Sequence, residues 1–286
     1  MRNALFHDYP VTEAIRSALP LCDHFVVAVG KSDDATLELI KSIDSEKLQI
    51  VETVWDDSLR SGGRVLAEET NKAFDAIPPE FDWCLYIQGD ECLHEDDYAV
   101  IQAAMKAAVN DKRIQGFVFQ YRHFYGSYDY VGTSRRWYRR EVRIIRNDKR
   151  IRSYRDAQGF RIQEGNALRK LRVRAIPAAI YHYGWVKHPQ AQQRKQRQFQ
   201  RLWHSDEWVE QHVAGSDAYL YDGQEPLMLF EGTHPAVMQK RIQAVNWQFA
   251  RPPVALPVPL KERLSAWVEK KTGWRIGEYK NYKIVA

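Results

Sequence analysis

With 286 residues, 44% hydrophobic and 12% aromatic, the chain has the apolar content of a packed globular protein, which excludes a disordered one. Its three cysteines, Cys22, Cys84 and Cys92, are odd in number and lack CxxC spacing. That speaks against a disulfide framework or a structural zinc site and makes a reducing cytoplasm the default location. Net charge is +5 but unevenly placed: Arg135 to Arg174 holds 15 Lys and Arg against 4 Asp and Glu, +11, so the rest carries −6. Such a block suits an anionic partner (a nucleotide diphosphate, a phospholipid surface or a nucleic acid) or is a solvated arginine-rich face with no ligand. No apolar run approaches the ~18 residues a membrane-spanning helix needs, and Met1-Arg2-Asn3 leads into mixed sequence rather than a secretory leader.

In chain order, Tyr9 to Leu19 reads as a helix, with Val11, Ile15, Ala18 and Leu19 on one face. Phe25-Val26-Val27-Ala28-Val29 is a continuous β-branched run ending at Gly30, which predicts a buried parallel strand. Ser32-Asp33-Asp34 offers caps to a helix carrying Leu37, Ile40 and Ile43. Leu48 to Val54 reads as the next strand, Asp56 to Gly63 as a loop, and Arg64 to Ile77 as a helix stopped by Pro78-Pro79. Trp83-Cys84-Leu85-Tyr86-Ile87 is a short apolar strand that ends in Gln88-Gly89-Asp90-Glu91. A helix over Asp96 to Val109 and a strand over Gly116 to Tyr121 complete an alternation that predicts a parallel α/β sheet.

After Tyr121 the periodicity loosens. Val142 to Ile145 and Leu171 to Ile176 alternate, which predicts strands lying antiparallel or at an edge, and Ala179 to Tyr183 reads as a last short strand. From Pro189 the composition shifts to a Gln-, Arg- and Lys-rich helix over Gln190 to Trp203. A Pro-rich connector spans Arg251 to Pro259, and Leu260 to Lys271 reads as a short amphipathic helix with Leu264, Trp267 and Val268 inward. A boundary is therefore expected near residue 188, between an α/β domain over 1–188 and a mainly helical extension over 189–286.

Ligands of open α/β sheets bind beyond the carboxyl ends of the strands. Gly30 to Thr36, Gly62-Gly63, Asp90-Glu91 and His182 all leave strand ends or open helices, so they can meet on one rim. Singly each has a plain explanation, as cap, turn or hydrogen-bonded structural histidine. Together they offer acids, backbone amides and an imidazole around one crevice, a set suited to a nucleotide diphosphate and Mg²⁺ or Mn²⁺.

Leu21 to Thr36, with its strand and Lys31-Ser32-Asp33-Asp34-Ala35-Thr36 turn, resembles the nucleotide-contacting first stretch of family 2-type glycosyltransferases of the GT-A fold. Ala67-Glu68-Glu69-Thr70-Asn71-Lys72-Ala73 is similar to that family's helix below the donor, and Gln88-Gly89-Asp90-Glu91 stands where its DxD motif stands. Arg146-Asn147-Asp148, Ile151 to Asp156 and Ile180-Tyr181-His182-Tyr183 resemble the lipopolysaccharide-core and cell-surface glycan type within it. The resemblance covers roughly the first 190 residues. It implies a GT-A-like, Rossmann-related mixed sheet flanked by helices, an Mn²⁺ or Mg²⁺ ion held by Asp90 and His182, and Asp156 as general base. It further implies donor contacts from Gly30, Ser32, Asp34, Asn71 and Gln88. Arginines of the basic block, Arg143 and Arg146, suit added phosphate contacts, and the aromatic stretch with His123, Tyr125 and Asp129 suits an acceptor wall or ordinary packing.

The partners implied are a nucleotide-diphosphate sugar and a glycan or lipid-linked acceptor, with no nucleic acid; the expected location is cytoplasmic, with peripheral contact to the inner membrane face and a homodimer left open. Gly30 stands where many members have a base-binding Asp, and Gln88 where DxD has its first Asp. The family also has a full strand before an Arg-Asn pair, where this sequence reads Met1-Arg2-Asn3. Competing expectations are an RNA- or anion-binding protein using the Arg135–Arg174 block with Trp137, Tyr138 and Tyr154 for stacking, a sugar nucleotidyltransferase, and a degenerate donor-binding homologue.

Overall fold

The computed structural model describes residues 1–213, 215–221, 225–249, 260–273 and 275–285. Helix α1 (Val11–Ala18) packs Val11, Ile15 and their neighbours on strand β1 (Phe25–Gly30). β1 pairs in parallel with β2 (Leu48–Thr53), from Phe25 opposite Leu48 to Gly30 opposite Thr53, across the short helix α2 (Thr36–Lys41). Helix α3 (Arg64–Asp75) follows a loop whose last two glycines, Gly62 and Gly63, take φ of 67° and 68°, a conformation that favours glycine. These elements match the periodicity of the sequence to within a few residues.

What continues is a mixed sheet. β3 (Trp83–Leu85) pairs antiparallel with β7 (Arg140–Arg146), and β7 pairs antiparallel with β5 (Gly116–Tyr125), which follows α4 (Tyr98–Ala108). β7 lies antiparallel, one of the two placements its alternation allowed, and inside the sheet between β3 and β5, with Glu141 to Ile145 all buried. The two short strands expected over 171–183 are one, β11 (Arg172–Trp185), whose register with β5 shifts between Ala175 and Ala179 around Pro177, a residue with no amide to donate. β11 runs parallel to β5 and antiparallel to β4 (Glu91–Leu93), a strand hidden inside the expected acidic turn. A three-stranded sheet of β8 (Ile151–Tyr154), β9 (Gly159–Glu164) and β10 (Ala167–Lys170) lies beside it, and β6 (Tyr130–Gly132) meets the far end of β5.

Beyond residue 188 come α5 (Pro189–Gln200), α6 (Asp206–His212), β12 (Leu227–Leu229), α7 (Gln239–Gln243), α8 (Leu260–Thr272) and β13 (Lys283–Ile284). Two of its strands pair with earlier ones, β12 with β6 and β13 with β11. On α8, Leu264 and Trp267 are exposed rather than inward. The Arg251–Pro259 connector lies outside the described residues.

The basic block finds its anions inside the chain. Arg135 and Arg139 pair with Glu269, Arg139 also with Glu278, Arg136 with Glu225, and Arg152 with Asp75. Three of those carboxylates come from the C-terminal segment, so the +11 block and the acidic remainder attract each other across the fold. The fold is a mixed α/β protein with a curled mixed sheet, and among the described residues no helix is long and apolar enough to cross a membrane.

Candidate functional site

The β1–β2 pair and the main sheet are not hydrogen-bonded to each other, and a cavity of about 800 Å³ opens between them. Met1 lies along the open edge of β1, where its amino group donates to Ala28 O at 2.6 Å and its carbonyl accepts from Gly30 N at 2.7 Å. The wall opposite is the turn Gln88-Gly89-Asp90-Glu91. β4 holds this turn against β11, and Tyr183 N–H donates to Asp90 O at 2.8 Å.

Successive side chains of an extended chain point to opposite sides, and here that separates the two acids. Glu91 faces inward and is fully buried, accepting two hydrogen bonds from the Arg143 guanidinium at 2.8 and 3.0 Å. It also accepts from Tyr121 Oη at 2.7 Å and from Gln88 N at 3.1 Å, so it clamps the turn from behind. Asp90 faces the cavity, with Oδ2 3.7 Å from His182 Nε2 and 3.2 Å from Lys195 Nζ. Burial works to raise the Asp90 pKa, but Lys195, His182 and Lys187 outweigh it and hold the carboxyl well below the usual carboxylate range.

The state of His182 follows from a short chain of hydrogen bonds. Tyr138 O lies 2.8 Å from His123 Nε2, and a carbonyl only accepts, so the neutral His123 carries its proton there. His123 Nδ1 must then accept from His182 Nδ1, 3.1 Å away. This leaves His182 Nε2 with a bare lone pair turned towards Asp90, the form of imidazole that binds metals. Burial, the largest cause in each, lowers His123 to about 3 and His182 to about 4, so both rings are neutral near pH 7. Gly184 leaves room for the arrangement, since a Cβ there would fall 2.6 Å from Asp90 Oδ2 and 2.7 Å from His182 Nε2.

Asp156 lines the same cavity from the turn after β8. Its neighbours Arg155 and Ala157 have φ of 58° and 60°, a tight left-handed bend that projects the loop inward. Its backbone and Cβ pack on Gly63, where an added Cβ would come within 2.9 Å. The ion pair with Arg152 or Arg155 that could make it a surface residue does not form: Arg152 pairs with Asp75, and Arg155 lies over the Tyr154 ring. Asn71 sits below the cavity and accepts from Ser153 N at 2.8 Å, fixing β8 and thereby this loop to α3.

Asp90, His182, Asp156, Gln88 and His123 therefore share the cavity. The other expected contacts do not. Ser32 and Asp34 brace the first residues, Ser32 accepting from Asn3 N at 3.0 Å and Asp34 from Phe6 N at 2.7 Å; Asp33 lines the cavity in their place. Arg143 is committed to Glu91. Arg146 caps the end of α4, donating to Ala108, Val109, Asp111 and Ile114 carbonyls beneath the Trp83 ring. Gly30 lets the Trp55 indole pack against β1, where any Cβ would collide with it. Tyr125 is core, edge-on to Trp137 and Tyr221, and Asp129 is exposed in the loop before β6.

Lys195, Trp55, Arg2 and His7 line the cavity without having been singled out by the sequence. Trp55 Nε1, Arg2 Nε and His7 Nδ1 are buried polar atoms with no hydrogen-bond partner among the described residues, and the Arg2 guanidinium lies 5.9 Å from the centre of the Trp55 ring. Two donors and an acceptor beside an aromatic face suit a planar, hydrogen-bonding ligand. Among the described residues no group of three or more His, Cys, Asp or Glu converges, so Asp90 and His182 offer a two-point seat. The donor set still fits a divalent cation that keeps open positions for water or phosphate: one carboxylate, and one imidazole nitrogen in its ligating form, whose second nitrogen is held by His123.

Fold and cavity define a mixed α/β protein with a cavity beside its curled sheet, whose wall carries Asp90, His182, Lys195 and Asp156. No protein-family model matches the chain, and no curated protein matches it.

Proposed function

We propose that this protein is a metal-dependent inverting glycosyltransferase of the GT-A, family 2 type, moving a sugar from a nucleotide-diphosphate donor to a hydroxyl acceptor in cell-surface glycan synthesis. The observation that carries the reading is the convergence in one cavity of ionised Asp90, His182 with its bare Nε2, and the Asp156 loop, with Trp55, Arg2 and His7 at the β1 end. On this reading the nucleobase lies against Trp55 and its diphosphate reaches the Asp90 turn. A divalent ion held by Asp90 and His182 would supply Lewis-acid stabilisation of the departing diphosphate.

The chain's own residues do the rest. Asp156 takes the proton of the acceptor hydroxyl as its oxygen bonds to the anomeric carbon, while the carbon–oxygen bond to the diphosphate breaks and its electron pair leaves with that group. General-base assistance of this kind contributes roughly 10²–10⁴-fold. With one base and no second nucleophile in the scheme, the product is inverted. The RNA-binding alternative loses its support where Arg135, Arg136, Arg139 and Arg152 pair with the chain's own carboxylates.

The test is a thermal-shift screen of nucleotide sugars with and without Mn²⁺. Stabilisation that needs Mn²⁺ and vanishes in Asp90→Ala is expected, with donor turnover lost in Asp156→Asn while Mn²⁺ binding persists. Equal binding without metal would remove the Asp90–His182 site from the reading, and unchanged turnover in Asp156→Asn would remove the base.

A further inference from the structure

Lys195 stands in an unusual place. It rises from the second turn of α5, a helix that begins at Pro189, with the His188 ring accepting from Gln190 N at 3.3 Å. Its side chain is 11% exposed, and its ammonium donates to Gly184 O at 2.8 Å and to Asp90 Oδ2 at 3.2 Å. The same carboxylate oxygen faces the His182 Nε2 lone pair at 3.7 Å. Two acceptors turned towards each other in a buried wall need a positive charge between or beside them, and Lys195 supplies it.

The other buried lysine nearby is engaged elsewhere: Lys187 donates to Asp8 O at 2.6 Å and lies over the Tyr9 ring. Arg143 is closed off behind the turn by Glu91. Lys195 alone, among the cations described around Asp90, both touches its carboxylate and lines the cavity.

We propose that Lys195 is the resident counter-ion of the Asp90–His182 seat, displaced when a divalent cation binds and then turned to the diphosphate of the donor. This deepens the transferase reading and rests on it. A hard divalent cation bonds to a carboxylate oxygen at about 2.1–2.5 Å. An ammonium 3.2 Å from that same oxygen is repelled by a doubly charged cation bound there, which favours its release. Lysine suits the exchange, because its ammonium sits on a flexible four-carbon stem and binds phosphate as a point charge. Its remaining anchors, the Gly184 carbonyl and a 5.1 Å approach to the Tyr9 ring, leave it able to swing. The unloaded site is thus charge-balanced without metal, and loading couples metal to diphosphate: the ion releases Lys195 and the diphosphate receives it.

The test measures Mn²⁺ binding to the full chain by electron paramagnetic resonance and calorimetry, alone and with inorganic pyrophosphate as the diphosphate probe. In Lys195→Met, Mn²⁺ alone is expected to bind roughly tenfold tighter, since its competitor is gone. Pyrophosphate with Mn²⁺ is expected to bind roughly tenfold more weakly, about what one charge-assisted contact contributes. Lys195→Arg, which keeps the charge, should leave Mn²⁺ binding at the wild-type level and serves if the methionine variant folds poorly. Unchanged or weaker Mn²⁺ binding in Lys195→Met overturns the proposal while leaving the metal seat standing. Absence of Mn²⁺ binding in wild type and variant alike removes the seat, and the proposal with it.

Discussion

The turn that presents Asp90 depends on an ion pair it does not expose. Arg143 and Glu91 are each 0% exposed and share two hydrogen bonds, at 2.8 and 3.0 Å. Arg143→Met removes the guanidinium and leaves the Glu91 carboxylate buried with two neutral donors, Tyr121 Oη and Gln88 N. Breaking a buried pair from one side costs about 3–5 kcal/mol, because the remaining charge is uncompensated. With a urea dependence of about 2–3 kcal/mol per molar, that is a midpoint shift of roughly 1–2 M. Glu91→Gln strands Arg143 instead, with only the Val142 and Gln158 carbonyls to accept from it, and is expected to cost a similar amount. The double variant should be more stable than the two single losses added together, by about 2 kcal/mol or more, because each partner's charge is costly only while the other is missing. Urea unfolding followed by tryptophan fluorescence reads all four proteins. Salt should change the result little, since buried pairs are poorly screened. The reasoning is refuted if Arg143→Met stays within 1 kcal/mol of wild type, or if the single losses simply add.

Two further predictions follow from the same wall. Gly184→Ala places a methyl group 2.6 Å from Asp90 Oδ2 and 2.7 Å from His182 Nε2; Mn²⁺ affinity should fall at least tenfold while the fold survives, and wild-type Mn²⁺ binding would show that the two ligands do not act as a pair. Stability should also fall steeply with acid: burial, the largest cause in each case, lowers His7 to about 4, His123 to about 3 and His182 to about 4, while burial raises Glu141 to about 7. The histidine contributions are complete above their unfolded value near 6.5 and are lost as pH falls towards 4. Glu141 acts in the opposite sense, its contribution present below its unfolded value of 4.5 and lost as pH rises through 7. Three histidines against one glutamate leave about two more protons on the unfolded chain between pH 6 and 5, a slope on the order of 3 kcal/mol per pH unit. A flat unfolding free energy across that range, measured in urea, would falsify the assignment of buried neutral histidines.

How much of this was legible depended on whether a residue's neighbour lay along the chain or across it. The β1 run, α3 and the strand before Gln88 were readable, because burial on both faces or along one stripe writes itself into local order. β7 is antiparallel, as its alternation allowed, but central: Val142-Arg143-Ile144-Ile145 looks half wet only if Arg143 is counted as polar, and here it is buried by its pairing with Glu91, 52 residues away. β4 was invisible, since three residues headed by a glutamate read as a turn until β11 is known to lie beside them. The helix from Pro189 is rich in Gln, Arg and Lys, yet Ala191, Gln192 and Gln193 are buried and Lys195 reaches Asp90. The basic block misled in a related way, because a charge count along the chain says nothing of Glu225, Glu269 and Glu278 arriving from its far end.

Asp90 and Glu91 draw these points together. They are adjacent acids after a strand, and one backbone step separates their fates. Glu91 meets Arg143, Tyr121 and Gln88 and spends its charge on holding the turn, while Asp90 meets His182 and Lys195 and keeps its charge at the cavity. The two roles need each other. A carboxylate held ionised in a buried wall requires a rigid turn beneath it, and a buried arginine–glutamate pair is a costly way to anchor a turn unless the turn must be held in one conformation. If Asp90 only capped the strand, Lys195 would have no reason to reach it from α5, nor the Tyr138 carbonyl and His123 to leave His182 Nε2 unprotonated beside it. Loss of Mn²⁺ binding in Glu91→Gln, with Asp90 itself untouched, is what this dependence requires.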